Sequence, residues 1–167
     1  PKKLGGRRTI ATLPSWFRIL MKIIAPSSFR AWDSEAAVEG DTCRAGCHAE
    51  FEVYKRGVWL EINKVLGQDT IVLLWDLQQF YDSVDISELI KDSEALCIPP
   101  VEAAFALFSH GAPRRLRGHK SYGNLVKGVG RSILAGCTSS TSFARACLAI
   151  PLAAAAKTVP NIIQGVH

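Results

Sequence analysis

No run of apolar residues in this sequence reaches the ~20 that a membrane-spanning helix needs. The longest, around 144–156, is interrupted by Arg145 and Pro151, so no membrane partner is expected. Low-complexity tracts are absent, which argues against a disordered chain. No internal repeat and no linker divides the sequence. Cysteine is sparse and odd in number, with five residues at positions 43, 47, 97, 137 and 147. Their spacing is irregular and no secretory signal precedes them. A disulfide framework is therefore not expected, and the reading is an intracellular protein of the nucleus or cytoplasm. Cys43-x-x-x-Cys47-His48 has the residue types of a zinc site, but no second ligand pair follows it. Cys97, Cys137 and Cys147 read as packing residues. Acidic charge is in deficit, 15 against 20 basic residues, for a net charge of +5. That suits a phosphate-rich partner without requiring one.

What is present reads as an α+β unit of helices around a few short strands. Lys2, Lys3, Arg7 and Arg8 surround Gly5-Gly6 in a basic lead-in. From Pro14, the spacing of Phe17, Leu20, Met21 and Ile24 predicts a helix, ended by Pro26-Ser27-Ser28. A second helix is predicted from about Ala45 to Leu66. Its buried stripe would be Phe51, Tyr54, Val58, Ile62 and Val65, and a turn follows at Gly67-Gln68-Asp69. Residues 70–75 form a continuous apolar run suited to a strand buried on both faces. A helix follows over 86–97, capped by Asp85 with Glu88 three positions on and stopped by Pro99-Pro100. Another is predicted over 101–109. Residues 113–120 read as a basic loop, with short strands on either side of Lys127-Gly128. A small-residue helix kinked at Pro151 is predicted over 138–157.

The candidate chemistry starts at Asp76, at the tip of the apolar run. A carboxylate there is costly unless its charge is compensated. Asp82 and Asp85 follow within ten positions, and each has an ordinary reading as a turn or helix-cap residue. The stretch Trp75-Asp76-Leu77-Gln78-Gln79-Phe80-Tyr81-Asp82-Ser83-Val84-Asp85 resembles the first palm motif of reverse transcriptases from non-LTR (LINE-type) retrotransposons. Upstream, Gly5-Gly6-Arg7-Arg8-Thr9-Ile10 and the Arg18-bearing helix resemble the fingers motif of the same family. Downstream, Gly130-Arg131-Ser132-Ile133-Leu134-Ala135-Gly136-Cys137-Thr138-Ser139-Ser140 resembles its second palm motif. The three matches come in the family's order across nearly the whole chain.

The resemblance implies a right-hand polymerase fragment: a fingers-like segment over 1–69 and a partial palm over 70–167. Its activity would be RNA-directed DNA synthesis by two-metal nucleotidyl transfer. Asp76 would be the catalytic carboxylate and a ligand to two Mg²⁺ ions, with the backbone carbonyl of Leu77 adding another oxygen. Arg8 would reach the triphosphate. Tyr81 would lie under the sugar of the incoming deoxynucleoside triphosphate and exclude a 2′-hydroxyl. Gly136 would let backbone approach the nucleotide and template closely. Arg114, Arg115, Arg117 and Lys120, with His119 among them, would contact the backbone of the RNA template or DNA primer; as a bare sequence the same segment is equally a solvated loop.

This chain departs from the family at Ala135, where Gln is frequent, and at Thr9, where Pro is usual. The third palm motif, an apolar-x-Asp-Asp sequence, is missing. The expectation is that the reading frame continues into it shortly after His167, and that the chain by itself does not extend a primer. Two alternatives stay open. An RNA-directed RNA polymerase would also place a second carboxylate near Asp82, although Tyr81 is bulky for a ribonucleotide. An inactive nucleic-acid-binding remnant would account for Ala135 and the missing motif.

Overall fold

The computed structural model describes residues 12–24, 26, 28–36, 46–72, 77–118, 120–127 and 129–158. Seven helices and one two-stranded hairpin are found among them: α1 Ser15–Ile24, α2 Phe29–Ala36, α3 Ala49–Val65, α4 Phe80–Ser83, α5 Ile86–Ala95, α6 Pro100–Gly111, β1 Arg114–Arg117, β2 Tyr122–Val126 and α7 Ser140–Thr158. The architecture is mostly helical with a small antiparallel β element. None of the described helices is long and apolar enough to cross a membrane.

Local sequence explains most helix ends. Asp85 caps α5 as its pattern predicts, its Oδ1 accepting from the backbone N–H of Ser87 at 2.9 Å and of Glu88 at 3.3 Å. These satisfy two of the N–H groups that a helix start leaves without partners. At the other end of α5, Cys97 takes φ +53° and the N–H of Ile98 reaches back to the Ser93 carbonyl at 2.9 Å. Helix α3 closes the same way, with Gly67 at φ +66° and Gln68 N–H on the Asn63 carbonyl at 2.9 Å. Glycine is at home in that left-handed position, whereas Cys97 adopts it at a steric cost. Pro100 opens α6, where its missing N–H costs nothing.

One hydrophobic core gathers residues from both halves of the sequence. Phe17 and Met21 of α1, Phe29 and Trp32 of α2, Leu89 of α5, Ala106 of α6, Ile133, and Phe143 of α7 are all buried in it. Helix α5 packs on α6 and α7, α1 on α6, and α2 on α7. The Trp32 indole N–H donates to the Leu96 carbonyl at 2.7 Å, tying α2 to the end of α5. Arg145 of α7 is 6% exposed. Its Nη1 donates to Asp33 Oδ1 on α2, and Ser142 Oγ donates to Asp33 Oδ2 at 3.0 Å. The arginine that interrupts the apolar run thus anchors α7 to α2.

His110, at the end of α6, is fully buried. Its Nδ1 accepts from the Leu134 backbone N–H at 2.8 Å, and its ring meets Phe143 edge-on at 5.5 Å between centroids. Burial, helped by the Arg114 charge, pushes its pKa from 6.5 down to about 4. The neutral ring is the folded form, so stability is complete above pH 6.5 and is lost as pH falls from there toward 4. A shift of that size corresponds to about 3 kcal/mol. Denaturant titrations between pH 7.5 and pH 4 should follow this slope in the parent chain. In His110→Asn, whose side-chain oxygen can still accept from Leu134, the slope should be largely absent; an equal slope would assign the acid sensitivity to other groups.

Several sequence expectations are corrected. The stripe of Phe51, Tyr54, Val58, Ile62 and Val65 on α3 is exposed, not buried. The side of α3 turned inward carries Glu52, Arg56, Leu60 and Asn63, which are buried or half-buried, and Asn63 Nδ2 donates to Thr70 Oγ1 at 3.3 Å. Periodicity locates an apolar face but not what covers it. In the apolar run, residues 70–72 form no strand, and Ile71 and Val72 are exposed; residues 73–76 lie outside the described residues. The basic segment is not a loop. Arg114–Arg117 pairs antiparallel with Tyr122–Val126, with Arg115 opposite Leu125 and an irregularity before Arg117. The reversal is closed by Gly118 N–H on the Ser121 carbonyl at 2.9 Å. No strand follows Lys127 in the described residues; the segment after it makes a single bridge, Arg131 to Asp85. Helix α2 was not expected from the sequence, whereas α7 runs through Pro151 over nearly the span expected for it.

Candidate functional site

The stretch after Asp76 and the stretch before Gly136 are joined by backbone hydrogen bonds. Ile86 N–H donates to the Gly130 carbonyl at 2.9 Å, Ser132 N–H to Val84 at 2.8 Å, and Ile133 N–H to Tyr81 at 2.8 Å. The two sequence motifs therefore form one corner of the molecule. Side chains reinforce the junction. Ser132 Oγ donates to Asp82 Oδ1 at 3.3 Å. Arg114 places Nη1 3.4 Å from Ser132 Oγ and Nη2 3.3 Å from its carbonyl, and Nη2 also donates to the His110 carbonyl. Burial lowers the Arg114 pKa, and the Asp82 carboxylate opposes the shift. Ser132 itself has φ +91°, a strained conformation for a residue with a side chain, and strain of this kind needs surrounding contacts to persist. The sequence pattern gave no signal for Ser132 or His110; their roles depend on contacts made across the fold.

The candidate residues differ in what they do in this corner. Tyr81 is half-buried against the core, with its ring 5.9 Å from that of Phe80. Leu77 is exposed. Gly136 has φ +93°, and the space a side chain would fill there is open for at least 4 Å. Glycine is thus favoured by the backbone conformation, and none of the described residues crowds its face. It stands four positions before α7. Arg8 and Asp76 lie outside the described residues.

The basic residues divide into two groups. Arg114 is a structural brace with its guanidinium engaged inside the corner. Arg115, Arg117 and Lys120 are exposed on the hairpin, and Arg117 lies 5.7 Å from the Tyr122 ring centroid, a cation–π arrangement.

Among the described residues no three His, Cys, Asp or Glu side chains come together as a metal site. Asp82 is engaged by Ser132. Asp85 is occupied as a helix cap, where hydrogen bonds from the Ser87 side chain and from the Ser87 and Glu88 backbone hold its carboxyl below the usual aspartate value. Its second oxygen is 3.7 Å from Arg131 Nε. The described residues do not fit a two-metal centre, and what they offer is an open-faced corner beside an exposed basic hairpin.

Comparison with protein-family models, with curated proteins and with solved structures gives no match to this chain.

Proposed function

We propose that the chain forms the fingers and part of the palm of an RNA-directed DNA polymerase resembling the reverse transcriptases of non-LTR retrotransposons. Its partners in this reading are an RNA template, a DNA primer and deoxynucleoside triphosphates, inside the cell. The observation that supports it best is the backbone pairing of residues 81–86 with residues 130–133. Two motifs some fifty positions apart, noted from sequence for the same chemistry, meet at one corner. That corner presents the half-buried Tyr81 and the open face at Gly136, on which a nucleotide could rest. Mg²⁺ would supply charge neutralisation for the triphosphate, and Asp76 is the residue assigned to it by the resemblance. Of the described residues, Leu77 would add its backbone carbonyl to the metal and the others would serve for positioning.

The test is sugar discrimination by the complete gene product. Tyr81→Val should raise ribonucleotide incorporation relative to deoxynucleotide on the order of tenfold or more, because a smaller side chain leaves room for the 2′-oxygen. The ratio is insensitive to the fraction of active protein. An unchanged ratio would make Tyr81 a packing residue only.

The hairpin gives a second, independent check on nucleic-acid binding. Arg115→Gln with Arg117→Gln should lower the salt slope of RNA or DNA binding by about 1.5, for two phosphate contacts at roughly 0.7–0.9 each. Arg114 is left intact because its removal would loosen the corner. A slope unchanged by both substitutions would make the hairpin a solvated surface. The engagement of Asp82 and Asp85 favours one other reading, a nucleic-acid-binding domain that does not extend a primer.

A further inference from the structure

Helix α3 turns its apolar side outward. Glu52, Arg56, Leu60 and Asn63 are spaced along one side of it and are buried or half-buried. On the opposite side Tyr54, Val58, Ile62 and Val65 are 71%, 41%, 50% and 85% exposed. The spacing of four, four and three places these side chains in one stripe, and a shallow groove follows it, with Gly57 and Leu66 at its margins. A helix that exposes its apolar face has that face available for another surface.

We propose that the face is an interface between two copies of this chain, paired antiparallel about a two-fold axis at Val58. An isologous contact requires a surface complementary to itself, and the α3 sequence meets that requirement in this register. Val58 faces Val58 of the second copy, Tyr54 faces its Ile62, and Phe51 faces its Val65, so each apolar layer meets an apolar layer. Antiparallel alignment also opposes the two helix dipoles favourably.

The charges at the edges agree. In a two-fold antiparallel pair, residues on one flank of a helix face residues on the same flank of its partner. Glu50 and Lys64 share the flank that also carries Glu61. Across the axis Glu50 comes within one helical turn of Lys64 from the second copy, and the symmetry repeats the pair. Seventeen residues make a helix about 25 Å long, shorter than a standard-size interface requires, so the dimer is a weak one with a micromolar dissociation constant. The inference does not depend on the polymerase reading.

Sedimentation equilibrium of the 167-residue chain tests it. The parent should be a monomer–dimer mixture at tens of micromolar. Val58→Asp sets two carboxylates against each other on the axis and should weaken association at least about 100-fold. The far-ultraviolet circular dichroism should stay unchanged, because Val58 is not part of the chain's own core. Lys64→Glu should weaken association roughly tenfold by opposing Glu50 of the other copy. The double variant Glu50→Lys with Lys64→Glu should return to within about threefold of the parent, although each change is unfavourable for the isolated helix. A chain that remains monomeric at about 100 µM overturns the proposal and leaves the face to a different partner. So does association unaffected by Val58→Asp, or a double variant no better than Lys64→Glu.

Discussion

Asp33→Ala should destabilise the chain by about 3–5 kcal/mol, the cost of leaving a buried arginine without its carboxylate. Arg145 is 6% exposed and lies in the part of α7 that packs against the core. Asp33 meets it from α2, while the second carboxylate oxygen takes a hydrogen bond from Ser142 at 3.0 Å. Removing the carboxylate therefore strips a charge partner and a hydroxyl partner at once. The loss is large beside the 5–15 kcal/mol that separates most folded domains from their unfolded states, and urea unfolding should report it as a lower midpoint with a similar slope. The charge, and not the volume of Asp33, is the cause. Arg145→Met alone should thus cost less than Asp33→Ala, and the double variant should recover a substantial part of the loss, since an apolar side chain of similar length needs no counter-ion. A loss under about 1 kcal/mol for Asp33→Ala would mean that Arg145 finds enough solvent to do without it.

Parts of this architecture were legible in the sequence because they depend on neighbours along the chain. The Asp85 cap, the stop before Pro100, the turn at Gly67 and the inward Phe17 and Met21 of α1 all follow from local rules, and each occurs as expected. The failures depend on contacts between distant segments. Nothing near Phe51 or Tyr54 says whether another element covers them, and the reading of α3 as a buried stripe is reversed for that reason. Charge made residues 114–117 look like a loop. Pairing with Tyr122–Val126 makes them a strand, because long basic side chains can remain in water while their backbone is hydrogen-bonded.

The candidate site was legible to the same extent. The sequence offers two stretches by resemblance alone, and their meeting across the Tyr81–Ile133 hydrogen bond is a tertiary fact. The grouping of Arg114 with Arg115 and Arg117 joined a brace to two solvent-facing side chains, a difference that depends on where Ser132 and His110 lie. The described corner contains no metal-ligand cluster, so the polymerase reading depends on Asp76 for its chemistry.

Primer extension by the complete gene product, with and without Asp76→Asn, is the most direct test of that reading. Asparagine keeps the size of the side chain and one of its oxygens but removes the charge, so folding and template contacts should survive. Template affinity comes mainly from basic side chains and should change less than about twofold. Extension with deoxynucleotides should fall at least about 100-fold, the scale on which loss of a single electrostatic group in a preorganised site acts. Parental extension that collapses in Asp76→Asn with unchanged template affinity is the predicted result. Extension by Asp76→Asn at near the parental rate, or a parent that binds template and never extends it, would contradict the account.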